Sequence, residues 1–146
     1  MTGWLLDTNV LSELRRPRPN PRVTAFVSTQ PLVSLHVSTV SLAEIRYGIE
    51  RADDEAKRAA LRNWLDARIR PMFAERILPV SEDVMLRWRM LVEEGRTVRH
   101  TFPQPDLIIA ATALQHGLTL VTRDVDDFRR ARVVVLNPWL EGTAVD

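Results

Sequence analysis

The chain has 146 residues, of which 45% are apolar and 27% charged, and its 20 basic and 19 acidic residues give a net charge of +1. This balance excludes a protein that binds polyanions through bulk charge, and it excludes an acidic, disordered chain. Cysteine is absent, which excludes disulfides, thiolate zinc sites and a cysteine nucleophile. No signal-peptide pattern is present, and no apolar run approaches the roughly 20 residues that span a bilayer. We therefore expect a single domain over residues 1–146, located in the cytoplasm and not associated with membranes.

Short apolar strands alternate with amphipathic helices along the whole chain. The strands are predicted at 4–6, 32–38, 76–80, 118–122 and 133–136. The helices are predicted at 9–15, from 21 onward, and at 41–50, 54–70, 82–94 and 106–116, with a polar loop over 95–104. The strand at 76–80 contains Pro79 and belongs at an edge of the sheet. This alternation predicts an α/β fold, in which a parallel sheet is covered by helices on both faces.

Four acidic residues fall at junctions between these elements. Asp7 and Asp124 follow strands, whereas Glu44 and Asp106 lie in the first turns of helices. In βαβ units the carboxyl ends of strands and the amino ends of helices share one edge of the sheet, where α/β proteins place their sites. Each acid alone also fits a capping role, and Ser41 with Glu44 has the spacing of a capping box. Both interpretations stay open, and they differ on whether the strands before Asp7 and Asp124 are neighbours.

Convergent carboxylates have a specific chemical use. They repel one another, and a hard cation such as Mg²⁺ or Mn²⁺ relieves that repulsion. Such a cation lowers the pKa of an attacking water and stabilises charge on a phosphoryl oxygen. If the four acids converge, they therefore favour a metal-dependent hydrolase of phosphodiester bonds.

Four segments of the sequence resemble, in order, the motifs of PIN-domain toxins of the VapC and FitB type. They are LLDTNVLSE at 5–13, SLAEIRYG at 41–48, PDLIIAATA at 105–113 and LVTRD at 120–124, the last followed by Phe128. The match extends over nearly the whole chain, and four motifs in order are far more specific than any one of them. The resemblance implies a single PIN-like domain with a five-stranded parallel sheet in the order 3-2-1-4-5.

The resemblance also implies roles for the four acids. Asp7 and Asp106 would be the main metal ligands, and Glu44 and Asp124 would complete the catalytic cluster and orient water. Some relatives carry Asn at the position of Asp124 and rely on an acid shortly after it, which here is Asp127. The residues implied to support these ligands are Thr8, Asn9 and Thr122.

The implied activity is that of a Mg²⁺-dependent ribonuclease, with Mn²⁺ as an alternative cation. The implied partners are an RNA substrate and a cognate antitoxin of a type II toxin–antitoxin module. A homodimer and a toxin–antitoxin hetero-oligomer are also implied. The candidates for contacts with RNA phosphate are Arg15, Arg16 and Arg18, near the site edge. The loop 95–104 receives no assigned role.

Rival protein classes differ from this sequence at identifiable positions. A haloacid-dehalogenase-like phosphatase needs a second Asp two residues after the first, where this chain has Asn9. A receiver domain needs a lysine after its last strands, whereas Lys57 lies in a predicted helix. A non-enzymatic α/β domain whose acids are only caps is the remaining alternative, and it would gain no stability from Mn²⁺.

Overall fold

A computed structural model describes residues 3–140 of the chain. The strands are β1 (Trp4–Leu6), β2 (Leu35–Ser38), β3 (Ile77–Leu78), β4 (Thr119–Val121) and β5 (Val135–Leu136). The helices are α1 (Thr8–Arg15), α2 (Pro21–Thr29), α3 (Thr39–Glu50), α4 (Glu55–Trp64), α5 (Arg70–Met72), α6 (Glu82–Thr97), α7 (Gln104–His116) and α8 (Val125–Arg130). A π-helical turn, Leu65–Ile69, joins α4 to α5. Within 3–140, no helix has both the length and the apolarity that crossing a membrane requires.

The five strands form one parallel sheet in the order β3-β2-β1-β4-β5. The predicted architecture, a single α/β domain whose parallel sheet has the strand order 3-2-1-4-5, is confirmed for the described residues. The central strand β1 pairs with β2 on one side and with β4 on the other, and Leu5 faces both His36 and Leu120. The short strand β3 lies at the edge, as expected for a segment that ends beside Pro79.

The sheet separates two apolar layers. Leu6 packs in a cluster with α1, α2 and α3, where Leu11 and Phe26 are also buried. Leu5 points to the opposite face and packs with α7 and α8, against Leu107 and Phe128. Because successive side chains of a strand alternate between faces, a central strand with helices on both sides must be apolar throughout. This requirement explains why the first strand is an unbroken apolar run.

Several predicted boundaries were wrong, each for a local reason. The strand predicted at 32–38 begins only at Leu35, because residues 32–34 form a 3₁₀ turn closed by the Ser34 amide bonding to the carbonyl of Pro31. The helix predicted from 41 begins at Thr39, because the side chain of Ser38 accepts a hydrogen bond from the Val40 amide. These shifts leave the order of the elements unchanged.

The second half of the chain departs from prediction in the same way. Residues 95–97 continue α6 and do not belong to a loop, so the polar loop predicted at 95–104 is wrong over its first three residues and at Gln104, where α7 begins. The segment after Asp124 forms a helix, α8, over Val125–Arg130. The preceding helix, α7, ends at Gly117, which adopts the left-handed conformation at φ 64°.

Two glycines offer a matched test of this backbone geometry. Gly117→Ala should lower the free energy of unfolding by about 1 kcal/mol, because a side chain disfavours the left-handed conformation. Gly48→Ala in α3 should raise it by up to ~1 kcal/mol, because alanine favours helix and the added Cβ meets no atom within 4 Å. Urea unfolding of both variants and the parent measures the difference, and equal stabilities would contradict the assigned backbone conformations.

Candidate active site

The neighbouring strands β1 and β4 bring the first and fourth motifs into contact. The amide of Asp7, directly after β1, donates to the carbonyl of Val121 in β4 at 2.9 Å. The carboxylate of Asp7 accepts from the Thr8 amide at 2.8 Å and from the Thr122 hydroxyl at 2.7 Å. Asp7 is therefore the N-cap of α1, as the capping interpretation predicts, and its side chain is also only 4% exposed at the site edge.

All four predicted acids line one cavity of about 470 Å³. Asp7 lies at its buried end, Asp106 is partly buried in the first turn of α7, and Glu44 and Asp124 are exposed. The strands before Asp7 and Asp124 are neighbours, which is the condition under which their carboxylates converge. Capping alone does not explain this arrangement, because within the described chain neither Asp106 nor Asp124 accepts a capping hydrogen bond from its helix.

The structure excludes the capping box that the spacing of Ser41 and Glu44 allowed. The helix begins two residues earlier with Ser38 as its cap, so Ser41 lies inside α3 and is buried. Its hydroxyl oxygen accepts from the Thr8 hydroxyl at 2.9 Å, which ties α3 to the start of α1. Glu44 is thus free of a capping role and extends from α3 into the wall of the cavity.

Thr122 links the buried Asp7 to the exposed Asp124. Its hydroxyl donates to Asp7 and accepts from the Asp124 amide at 3.0 Å and from the Asn9 side-chain amide at 3.2 Å. The same Asn9 nitrogen lies 3.4 Å from a carboxylate oxygen of Asp124. The predicted supporting residues Asn9 and Thr122 therefore orient two of the acids, while Thr8 holds Asp7 through its amide.

Burial and like charge raise the pKa of two of these carboxyl groups. The pKa of Asp7 rises to about 6, chiefly because the group is buried, although the hydrogen bonds from Thr122 and Thr8 oppose the rise. The pKa of Asp106 also rises to about 6, first through burial and then through repulsion from Asp7, Asp124, Glu44 and Asp127. Two acids with shifts of this kind at one cavity mark a candidate catalytic site.

Two of the acids suit a cation that keeps much of its water. Across residues 3–140, no three His, Asp or Glu side chains form a group that could hold a metal ion by itself. Mg²⁺ needs no such group, because it retains several waters and binds proteins through one or two carboxylates. Asp7 and Asp106, whose carboxylates repel in the absence of a cation, are a donor pair of that kind. The residues present therefore fit a hydrated Mg²⁺ or Mn²⁺ ion.

Sequence reasoning gave no role to four residues of this cavity, Ser12, Glu13, Arg123 and Trp139. The predicted Arg15 and Arg16 also line it, whereas Arg18 does not. The signal for Glu13 was its helical position three residues after the apolar Val10, which places a charge on the buried face of α1. No comparable pattern marks Arg123 or Trp139, because they meet only in the folded chain.

Asp127, the predicted alternative to Asp124, lies in the first turn of α8 and outside the lining of the cavity. Its charge nevertheless contributes to the raised pKa of Asp106. One of its carboxylate oxygens is 3.4 Å from a ring nitrogen of His100, which connects it to the segment before α7. Asp127 is thus an electrostatic neighbour of the site, and a role beyond that stays a prediction.

The chain matches the family model described as "PIN domain" over residues 4–134. Toxin FitB of Neisseria gonorrhoeae is 41% identical over 135 residues, covering 92% of this chain and 97% of that protein. VapC ribonuclease Y4jK of Sinorhizobium fredii is 33% identical, covering 92% and 96%. The crystal structure of FitAcB from Neisseria gonorrhoeae superimposes with a TM-score of 0.89 at 40% identity, covering 94% of this chain and 99% of that one. From its fold, its motifs and these relatives, the chain belongs to the PIN domain family.

Proposed function

We propose that this protein is a metal-dependent endoribonuclease that serves as the toxin of a type II toxin–antitoxin module. The observation that carries the proposal is the convergence of Asp7, Glu44, Asp106 and Asp124 on one cavity. Relatives named as VapC ribonucleases and as Toxin FitB support the choice of RNA as substrate and of a toxin as the biological role. The cytoplasm, where RNA is available, is the proposed location.

In this proposal Asp7 and Asp106 hold a Mg²⁺ ion, and Mn²⁺ can replace it. The bound cation would lower the pKa of the attacking water and neutralise charge on the phosphodiester. Asp7 is fixed for this task by its two hydrogen bonds, from Thr8 and Thr122. Asp106 accepts no hydrogen bond within the described chain, so both of its oxygens are available to a cation.

The two exposed acids have a different task. Glu44 and Asp124 face the same cavity and can accept hydrogen bonds from the water that attacks the phosphorus. The Asn9 side chain holds Asp124 in place at 3.4 Å, so this carboxylate is aimed before substrate binds. Glu44 is held only by its position on α3, whose neighbouring Ile45 is buried.

An adjoining groove supports the proposed antitoxin partner. It has a volume of about 370 Å³ and runs between α1, α3 and α4, with an apolar floor of Ile45, Ile49, Leu61 and Trp64. Glu44 lines both this groove and the acidic cavity. A partner segment with apolar side chains for the floor and a cation, such as Arg, for the acids would therefore fill both.

A second surface supports the proposed homodimer. The exposed side of α6 carries Met85, Leu86 and Met90, which are 38%, 61% and 52% exposed. Leu86 and Met90 are four residues apart and therefore share one face of α6. Exposed apolar side chains grouped in this way are typical of surfaces that another chain covers. We propose that α6 contributes to dimer formation and that dimers combine with antitoxin into a hetero-oligomer.

Replacing a proposed metal ligand should abolish RNA cleavage. Asp106→Asn should fold and should cleave RNA in Mg²⁺ at least ~100-fold more slowly, because the cation loses one of its two carboxylates. Asp83→Asn is the matched control, since Asp83 also lies in the first turn of a helix and is exposed away from the cavity. Cleavage that persists in EDTA, or in the Asp106→Asn protein, would contradict the proposed mechanism.

The raised pKa values predict how stability depends on pH without metal. Both folded-state pKa values, about 6, exceed the ordinary value of 3.8, so the folded protein binds more protons between these limits. In EDTA the free energy of unfolding should therefore fall as pH rises from about 4 to about 6 and then level off.

Removing one of the mutually repelling carboxylates should restore part of the free energy of unfolding that is lost as the pH rises. Above pH 7 in EDTA, Asp106→Asn should raise the free energy of unfolding by about 1 kcal/mol, a value reduced for its partial exposure. Asp83→Asn should not raise it, because a charge that favours a helix dipole is lost. Mn²⁺ should stabilise the parent protein more than Asp106→Asn, and melting curves that show neither effect would mean that the acids are only caps.

The two apolar surfaces can be separated by single substitutions. Leu61→Asp should weaken antitoxin binding at least about tenfold, because it places a charge on the apolar floor of the groove. Leu86→Asp should leave that affinity unchanged and should shift the protein from dimer to monomer. Calorimetric titration with the antitoxin and sedimentation of each variant measure both effects, and the opposite pattern would exchange the two assignments.

A further inference from the structure

The acidic cavity also has a basic wall, which we define as Arg16, Arg123 and Trp139. The side chains of Arg16 and Arg123 are 61% and 53% exposed, so their guanidinium groups are accessible to a ligand. The guanidinium carbon of Arg123 lies 4.1 Å from the centre of the Trp139 ring, at the distance of a cation–π contact. The Trp139 ring therefore covers one face of the Arg123 guanidinium group.

The carboxylate of Glu13 contacts both arginines of the basic wall. Its side chain is only 7% exposed, and it accepts hydrogen bonds from the Asn20 amide at 2.7 Å and from Arg16 at 3.3 Å. A nitrogen of Arg123 lies 3.9 Å from the same carboxylate oxygen that Arg16 contacts. A buried carboxylate needs such partners, and here two of them are exposed arginines. Glu13 therefore restrains both guanidinium groups at the rim of the cavity.

The basic wall does not pair with the acids beside it. Among the described residues, neither Arg16 nor Arg123 lies within 4 Å of a carboxylate of Asp7, Glu44, Asp106 or Asp124, whereas both lie within that distance of Glu13. Arginine and carboxylate side chains in one cavity would be expected to form ion pairs. Here the contacts of both arginines with Glu13, and of Arg123 with the Trp139 ring, hold the guanidinium groups away from the acids. The cavity thus keeps an acidic part for a cation and a basic part that can receive an anion.

We propose that the basic wall binds the phosphate next to the scissile one in a single-stranded RNA, with Arg123 as the contact and Glu13 as its positioning residue. The inference rests on the proposed ribonuclease function. An RNA strand presents a negative charge at every nucleotide, so a strand that enters the cavity brings more than one phosphate. The phosphate at the acids requires a cation, whereas its neighbour is matched by a guanidinium, whose planar N–H groups suit phosphate oxygens.

RNA binding can be measured apart from cleavage in the Asp106→Asn background. The probe is a fluorescein-labelled oligouridine about 12 nucleotides long, which matches the site size of single-strand binders. Its affinity is measured by anisotropy in Mg²⁺ at several salt concentrations. Arg123→Met should weaken binding about tenfold and reduce the slope of log affinity against log salt by about 0.7, the loss of one phosphate contact on a single strand.

Two further variants make the test specific. Arg70→Met removes the same charge from a partly exposed arginine outside the cavity, which also pairs with a carboxylate, and it should leave the slope unchanged. Glu13→Gln should weaken RNA binding in the protein that retains Arg123 and should have no further effect in the Arg123→Met protein, because Glu13 acts through Arg123. A purely electrostatic role of Glu13 gives the opposite sign, since losing a negative charge would tighten binding. Melting curves of each variant establish that it is folded.

The outcomes for the basic wall and for the nuclease are distinguishable. If Arg123→Met behaves like Arg70→Met, or if the Asp106→Asn protein does not bind the oligouridine, the assignment of Arg123 is overturned. If the parent protein fails to cleave RNA in Mg²⁺ while Arg123→Met still lowers the salt slope, the basic wall stands and the ribonuclease proposal fails. Tighter binding by Glu13→Gln would overturn its positioning role alone.

Discussion

The hydrogen bond from Thr122 to Asp7 joins the ends of the two central strands, and the acidic cavity is built around it. It fixes a carboxylate that is almost completely buried, 2.7 Å from a residue 115 positions further along the chain. Because the same hydroxyl accepts from the Asp124 amide, the direction in which the fourth motif leaves the sheet depends on this contact. The other acids are placed by helices that begin at the same edge.

Asp7 serves both the fold and the site. As the cap of α1 it stabilises the helix, and as a buried carboxylate among other acids it costs free energy when charged. A cation would turn the second effect into a gain. Without a metal ion, the two apolar layers on either side of β1 stabilise the protein. Repulsion between the carboxylates at the edge of the sheet opposes folding.

Much of this architecture could be predicted because it depends on local patterns. The alternation of apolar runs with amphipathic segments indicated the elements, and the motif resemblance supplied the strand order. The errors arose where two local signals competed. Ser41 and Glu44 have the spacing of a capping box, but Ser38 caps the helix, and Ser41 instead bonds to Thr8 of α1.

The contact between Arg123 and Trp139 could not be predicted in this way. The two residues are 16 positions apart, and no sequence pattern indicates a contact that only the tertiary structure creates.

The groove and the acidic cavity share four lining residues, Thr8, Ser12, Arg15 and Glu44. If the proposed antitoxin and the proposed RNA substrate both use this shared wall, mutations of the wall would affect both of them. A change of Glu44 that weakened antitoxin binding would also remove an acid from the proposed catalytic cluster, and a change of Thr8 would disturb the contact with Ser41 that ties α3 to α1. Mutations that affect antitoxin binding alone would have to fall outside the shared wall, at groove residues such as Leu61, which would confine the co-evolution of the two proteins to a small surface.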